Sequence, residues 1–133
     1  MNVLLFLTPK KDVEFIYDDF SIRQAIEKME YHKYSAIPIL TRNGEYVGTL
    51  TEGDILWYLK SHHNLDLSNA EDINIMNISR KQDNKAVNAM TELKNLYELA
   101  INQNFVPVVD DANHFIGIVT RKKIMSYFKP DSI

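Results

Sequence analysis

Two tetrads in this 133-residue chain carry residue types that can do chemistry: Thr51-Glu52-Gly53-Asp54 and Thr120-Arg121-Lys122-Lys123. Each stands where an apolar, strand-like run gives way to a helical pattern. The N–H groups at a helix start attract phosphate. A threonine hydroxyl and a carboxylate at the same place can hydrogen-bond a diol such as that of ribose. The same two side chains can instead close a capping box that serves only the helix. The second tetrad has Lys123 where the first has Asp54, so the diol acceptor is gone. Three cations then crowd a first helical turn, where the macrodipole disfavours each by roughly a few tenths of a kcal/mol. An anion docked there would reverse the sign; the alternative is a solvated, screened basic surface.

No catalytic constellation accompanies these tetrads. The histidines are His32, His62, His63 and His114, and the adjacent pair lacks the i, i+4 spacing that sets two metal ligands on one helical face. Asp18-Asp19 and Asp110-Asp111 flank turns, where aspartate serves the backbone. The chain has no cysteine, which excludes disulfides, thiolate metal sites and cysteine nucleophiles and fits a reducing compartment. The reading is therefore not an enzyme, with no metal and no required cofactor. A net charge of −3 gives nucleic acid little to hold; only Arg121 to Lys123 resembles a basic reading element, without a helix-turn-helix around it. The apolar start, Val3 to Leu7, is too short to span a membrane and lacks the flanks of a signal peptide. The expected location is the cytoplasm.

The elements that must position the tetrads are duplicated. Pro38 and Pro107, Gly48 and Gly117, and Thr51 and Thr120 are each 69 positions apart. Ala36-Ile37-Pro38-Ile39-Leu40 matches Phe105-Val106-Pro107-Val108-Val109, and Tyr46 to Leu50 matches Phe115 to Val119. Polar turns separate the members of each pair, and Asn43-Gly44 is a strong hairpin signal. Upstream, Ile22, Ala25, Ile26 and Met29, and again Leu93, Leu96, Leu99 and Ala100, recur at helical spacing. Ser21 and Gln24 suit a capping box. The second helix-to-strand connection looks about two residues shorter. Short β-like stretches precede each helix, Val13 to Tyr17 and Ala86 to Met90. Each half reads β-α-β-β-α and has too little core to stand alone. The expected organisation is a first repeat over 1–60, a connection over 61–85 with a short element at Ile73, Ile75 and Met76, and a second repeat over 86–133.

This pattern resembles the CBS-domain family, named after cystathionine β-synthase. The resemblance covers nearly the whole chain and is carried by Thr8-Pro9, Ile37-Pro38-Ile39, Gly48-Thr49-Leu50-Thr51-Glu52-Gly53-Asp54, Val106-Pro107-Val108-Val109-Asp110 and Gly117-Ile118-Val119-Thr120. It implies an α+β fold in which tandem pseudo-symmetric repeats form one CBS-pair (Bateman) module. It also implies a regulatory role, with clefts that commonly take AMP, ADP, ATP, S-adenosylmethionine or cyclic di-AMP. With nothing attached to the pair, the output would pass to a separate partner. The resemblance assigns ribose to Thr51 and Asp54. It likens the Thr120-Arg121-Lys122-Lys123 arrangement to members that bind cyclic di-AMP, whose phosphates engage the ribose 3′ oxygens. Backbone groups leading into the proline strands, at Ser35, Ala36, Ile37 and Pro38 and at Phe105, Val106 and Pro107, would read the adenine edge. By composition alone these apolar residues are core. Lys10 is a further candidate for phosphate, although isolated lysines are more often solvated.

Ile55 to Leu59 and Ile124 to Phe128 are apolar almost all round their helices, and such helices need cover on more than one side. A homodimer through these helices is the first expectation. A docking subunit without a ligand is the competing one.

Overall fold

A computed structural model describes residues 2–62 and 68–129. Strand β1 covers Thr8–Pro9 and β2 covers Ile16–Tyr17. They are followed by helix α1 (Ile22–His32), β3 (Ala36–Leu40), β4 (Tyr46–Thr51), α2 (Glu52–Ser61), α3 (Leu93–Asn102), β5 (Phe105–Val109), β6 (Phe115–Thr120) and α4 (Arg121–Tyr127). The fold is α+β, built on two three-stranded sheets ordered β2-β3-β4 and β1-β6-β5. The contacts divide the chain into a unit of Glu14–Asp83 and a unit of Met1–Val13 with Asn84–Ile133.

In the unit of residues 14–83, β2 runs parallel to β3 and β3 antiparallel to β4. Asn43-Gly44 closes the hairpin as its sequence predicts: Gly44 takes φ 90° and the Thr41 amide donates to the Glu45 carbonyl at 2.9 Å. Helix α1 begins on a reciprocal box in which the Gln24 amide donates to Ser21 Oγ and the Ser21 amide to Gln24 Oε1. Its face of Ile22, Ala25 and Met29 is buried with Ile16, Ile37, Ile39 and Leu50. Each such aliphatic side chain, fully buried, contributes about 1.5–3 kcal/mol. The segment read as a connection packs into this core. Ile75 sits in a short 3-10 turn, Ile75–Asn77, and is fully buried with Ala70 and Ile78. The Ile22 amide donates to the Ile73 carbonyl and the Ile75 amide to that of Phe20.

In the other unit, β5 and β6 repeat the β3–β4 register: Pro107 faces Ile118 as Pro38 faces Thr49, and both ladders slip at the following Val108/Val109 or Ile39/Leu40 step. Val106, Val108, Val119, Leu96 and Ala100 form its core with Val3. The β-like stretches are shorter than the sequence suggested. Only Ile16–Tyr17 forms a strand in the first, and the second is reduced to one parallel bridge, Val87 to Val108. The second helix-to-strand connection is shorter by one residue rather than two, and the other difference lies in the helix, 11 residues in α1 and 10 in α3. Helix α1 ends on Lys33 in the left-handed conformation (φ 62°), whereas α3 ends on an extended Gln103.

The two matched glycines permit close approaches. A β-carbon on Gly117 (φ 155°) would lie 2.2 Å from the Thr8 carbonyl oxygen, so glycine lets β1 pair with β6. A β-carbon on Gly48 would lie 2.5 Å from an Asp83 carboxylate oxygen.

Candidate functional site

The first tetrad forms a complete box. The Asp54 amide donates to Thr51 Oγ1 at 3.0 Å, and the Thr51 amide to Asp54 Oδ2 at 3.1 Å. The box alone does not account for Asp54. Its second oxygen, Oδ1, accepts the Lys81 amide at 3.1 Å, and the residue is 7% exposed. A carboxylate has about four lone-pair sites, so two amides leave acceptor capacity. Asp54 also lines a hollow of about 410 Å3 with Lys81, Ser79 and the outer side of α2. The Glu52 amide donates to the Ser35 carbonyl, tying the start of α2 to the residue before β3.

Four residues that the sequence reading passed over support this corner. Asp83 accepts the Thr49 amide at 3.0 Å and a two-pronged donation from Arg80 Nε and Nη2 at 2.7 and 3.2 Å. Partial burial pushes its carboxyl up, but the Arg80 and Thr49 hydrogen bonds outweigh it and hold the carboxyl below its ordinary value. Tyr46 shares a 2.7 Å hydrogen bond with the Thr49 hydroxyl, and burial pushes its phenol up to about 12. The only local signal for this network was Arg80 three residues before Asp83, a common surface spacing.

The second tetrad forms half a box. The Lys123 amide donates to Thr120 Oγ1 at 3.2 Å, and a lysine side chain returns nothing because it has no acceptor. The first-turn cations do not act alike. Lys122 and Lys123 are exposed. Arg121 Nε donates to the carbonyls of Ala100 and Gln103 at 2.7 and 3.1 Å. Those carbonyls belong to the last turn and C-cap of α3, where a cation is favoured, so the crowding read from sequence is relieved by a neighbouring helix end. Lys122 borders a hollow with Tyr97 and Phe128.

Among the base-edge candidates, Ile37, Pro38, Val106 and Pro107 are buried, Phe105 is 6% exposed, Ala36 is half-buried and Ser35 is exposed. The Phe105 carbonyl already accepts from Asn84 Nδ2 and Gln103 Nε2. Lys10 is not brought to the Thr120 mouth. It follows Pro9, which faces Gly117, and so continues toward the opposite end of β6. Among the described residues no group of three histidines or carboxylates could hold a metal, and no helix is long and apolar enough to cross a membrane.

Residues 6–61 and 78–130 match the CBS domain. The chain belongs to the CBS-domain family. It carries two CBS domains, a CBS pair, and its Thr51 and Thr120 mouths fall one in each. An uncharacterised protein of Methanocaldococcus jannaschii is 26% identical, over 90% of this chain and 88% of its own. Among solved structures, CbpB in complex with c-di-AMP superposes with a TM-score of 0.84 at 25% identity, covering 96% of this chain and 84% of that one. CBSX2 in complex with AMP shares the fold, with a TM-score of 0.77 at 22% identity over 96% of this chain and 95% of that one. Three enzymes also match, but this chain spans only 20–21% of each. The similarity to those enzymes is therefore partial.

Proposed function

We propose that this CBS pair is a cytoplasmic regulatory sensor that binds an adenine nucleotide, AMP, ADP, ATP or cyclic di-AMP, and acts on a separate partner without catalysis of its own. The carrying observation is the α2 mouth, where Thr51 and Asp54 meet beside an open hollow, in a family whose neighbours CbpB and CBSX2 bind c-di-AMP and AMP. In this reading Thr51 and Asp54 take the ribose. Ser35 to Pro38 and Phe105 to Pro107 present backbone to the base. Thr120, Lys122 and Lys123 face phosphate, with Arg121 as an outer cation. Bound ligand shifts a conformational equilibrium by its differential affinity, and the partner reads that shift. Pairing of two copies through Ile55–Leu59 and Ile124–Phe128 would cover apolar surface such as Leu56, which is 58% exposed.

One observation favours a second reading, a docking subunit without ligand: both Asp54 oxygens already serve backbone amides. Thermal unfolding against AMP, ADP, ATP, S-adenosylmethionine and cyclic di-AMP separates the two. A ligand at 100 times its dissociation constant stabilises by about 2.7 kcal/mol. No shift with any of the five refutes the sensor and leaves the docking subunit.

A further inference from the structure

We propose that the apolar groove on α1 and α2 of one copy docks on the groove on α3 and α4 of a second copy, unlike face to unlike face; this rests on the pairing of copies stated above and gives that pairing its orientation.

Each CBS domain carries one such groove on its two helices. The first, a hollow of about 530 Å3, is lined by Ile26 and Met29 of α1 and by Ile55, Leu56 and Leu59 of α2. The second, of about 470 Å3, is lined by Tyr97 of α3 and by Met125 and Phe128 at α4. The two hold matching places. Ile26 and Tyr97 are the fifth residues of α1 and α3, and Leu56 and Met125 the fifth of α2 and α4. Leu59 and Phe128 are 69 positions apart, the spacing of the repeat. Both grooves leave apolar surface in solvent: Leu56 is 58% exposed, and Tyr97 and Phe128 are each 40% exposed. Exposed apolar surface with a polar rim marks an interaction site.

The charges decide what covers each groove. Glu30, Glu52 and Lys33 rim the first, and Lys122 and Lys129 rim the second with no anion beside them. All five are exposed, and none forms an ion pair among the described residues. The imbalance extends along the helices. Helix α4 with Lys129 carries four cations and no acidic residue, whereas α2 opens on Glu52 and Asp54. The second groove set on its own counterpart would hold Lys122 and Lys129 against the same cations. The first set on its own counterpart would hold Glu30 and Glu52 against the same anions. Like charges juxtaposed across an interface disfavour it, and unlike charges favour it. The first groove against the second brings two anions to two cations over matching apolar floors. The chain itself therefore holds the surface complementary to each groove, and a second copy is the occupant. The contact joins two different patches rather than one patch and its own image.

Sedimentation equilibrium of the full chain without nucleotide, at low and high sodium chloride, measures the association. Unlike pairing is expected to weaken as salt is raised, because the rim charges are screened. Glu30→Lys and Lys129→Glu, both outside the helix mouths, should each weaken association roughly two- to thirty-fold per contact. A surface attraction worth a factor of up to about five is lost, and a repulsion of similar size replaces it. Combined in one chain, the two reversals should restore the association, since the exchanged charges face each other again. Three results overturn the unlike pairing and leave the pairing of copies standing: association unchanged or tighter in either single variant, association that tightens with salt, or a double variant no better than the singles. A chain that sediments as a monomer at every concentration overturns both. Neither result bears on the ligand, which the thermal shift decides. Both substituted side chains are exposed, so the variants should fold, and the salt response of the wild type needs no variant.

Discussion

Replacing Lys123 with aspartate should stabilise the protein. The substitution rebuilds in the second CBS domain what Asp54 does in the first, since Thr120 and Thr51 stand at the same place in matching hairpin registers. At present the box at α4 is one-sided: Thr120 Oγ1 accepts the Lys123 amide, and the lysine is exposed and cannot accept in return. Two contributions add. A carboxylate that accepts the Thr120 amide supplies the other half of the box, worth about 0.5–1 kcal/mol. Removing a cation from the first helical turn and placing an anion there are each worth about 0.3–1 kcal/mol. The gain is about 1–3 kcal/mol, or roughly 3–12 °C in the unfolding midpoint for a chain of this length. Calorimetric melting at low ionic strength is the assay, and added salt should shrink the gain because the charge part is screened. Lys123→Ala should recover only the smaller part, the removal of the cation. Asp54→Ala should do the reverse and more, because it also strands the Lys81 amide. An unchanged or lowered midpoint for Lys123→Asp would refute the claim that the two mouths are built on one plan. If the two units melt separately, the shift belongs to the transition of the unit that contains α4.

Gly117→Ala should cost more than about 2 kcal/mol, because the added carbon meets the Thr8 carbonyl at 2.2 Å at a φ of 155°; hydrogen exchange should show β1 released from β6 while β5–β6 amides stay protected. Asp83→Asn should flatten the acid limb of the stability profile. The folded carboxyl titrates below its ordinary value of 3.8, so its contribution is present above that pH and is lost as pH falls through the lower, folded value. Urea midpoints measured from neutrality down to the acid transition would show an equal slope in both proteins if Asp83 plays no such part.

How much of this was legible in the sequence depended on range. The elements that recur after 69 positions, the Asn43-Gly44 hairpin, the Ser21–Gln24 box and the Thr51–Asp54 box are local. Each is fixed by residues within a few positions of one another, where periodicity and capping chemistry act directly. These signals also sufficed for the family. What stayed hidden joins residues distant along the chain. Thr8–Pro9 reads as the lead-in to the first repeat but pairs with β6, more than a hundred residues away. Ile75 and Ile78 sit in a stretch that reads as a connection, yet they are buried in the core of the unit of residues 14–83. Asp54 reads as half of a box, while its other oxygen is taken by the Lys81 amide, and Arg121 reads as a misplaced cation until α3 brings two carbonyls to it. The physical reason is common to all four. A buried hydrogen-bonding group needs a partner, and a side chain carries no mark of which distant backbone group will be the one. The amino-acid order alone determined the repeated elements and the two helix mouths; tertiary packing decided which of their polar atoms are already in use and which face open space.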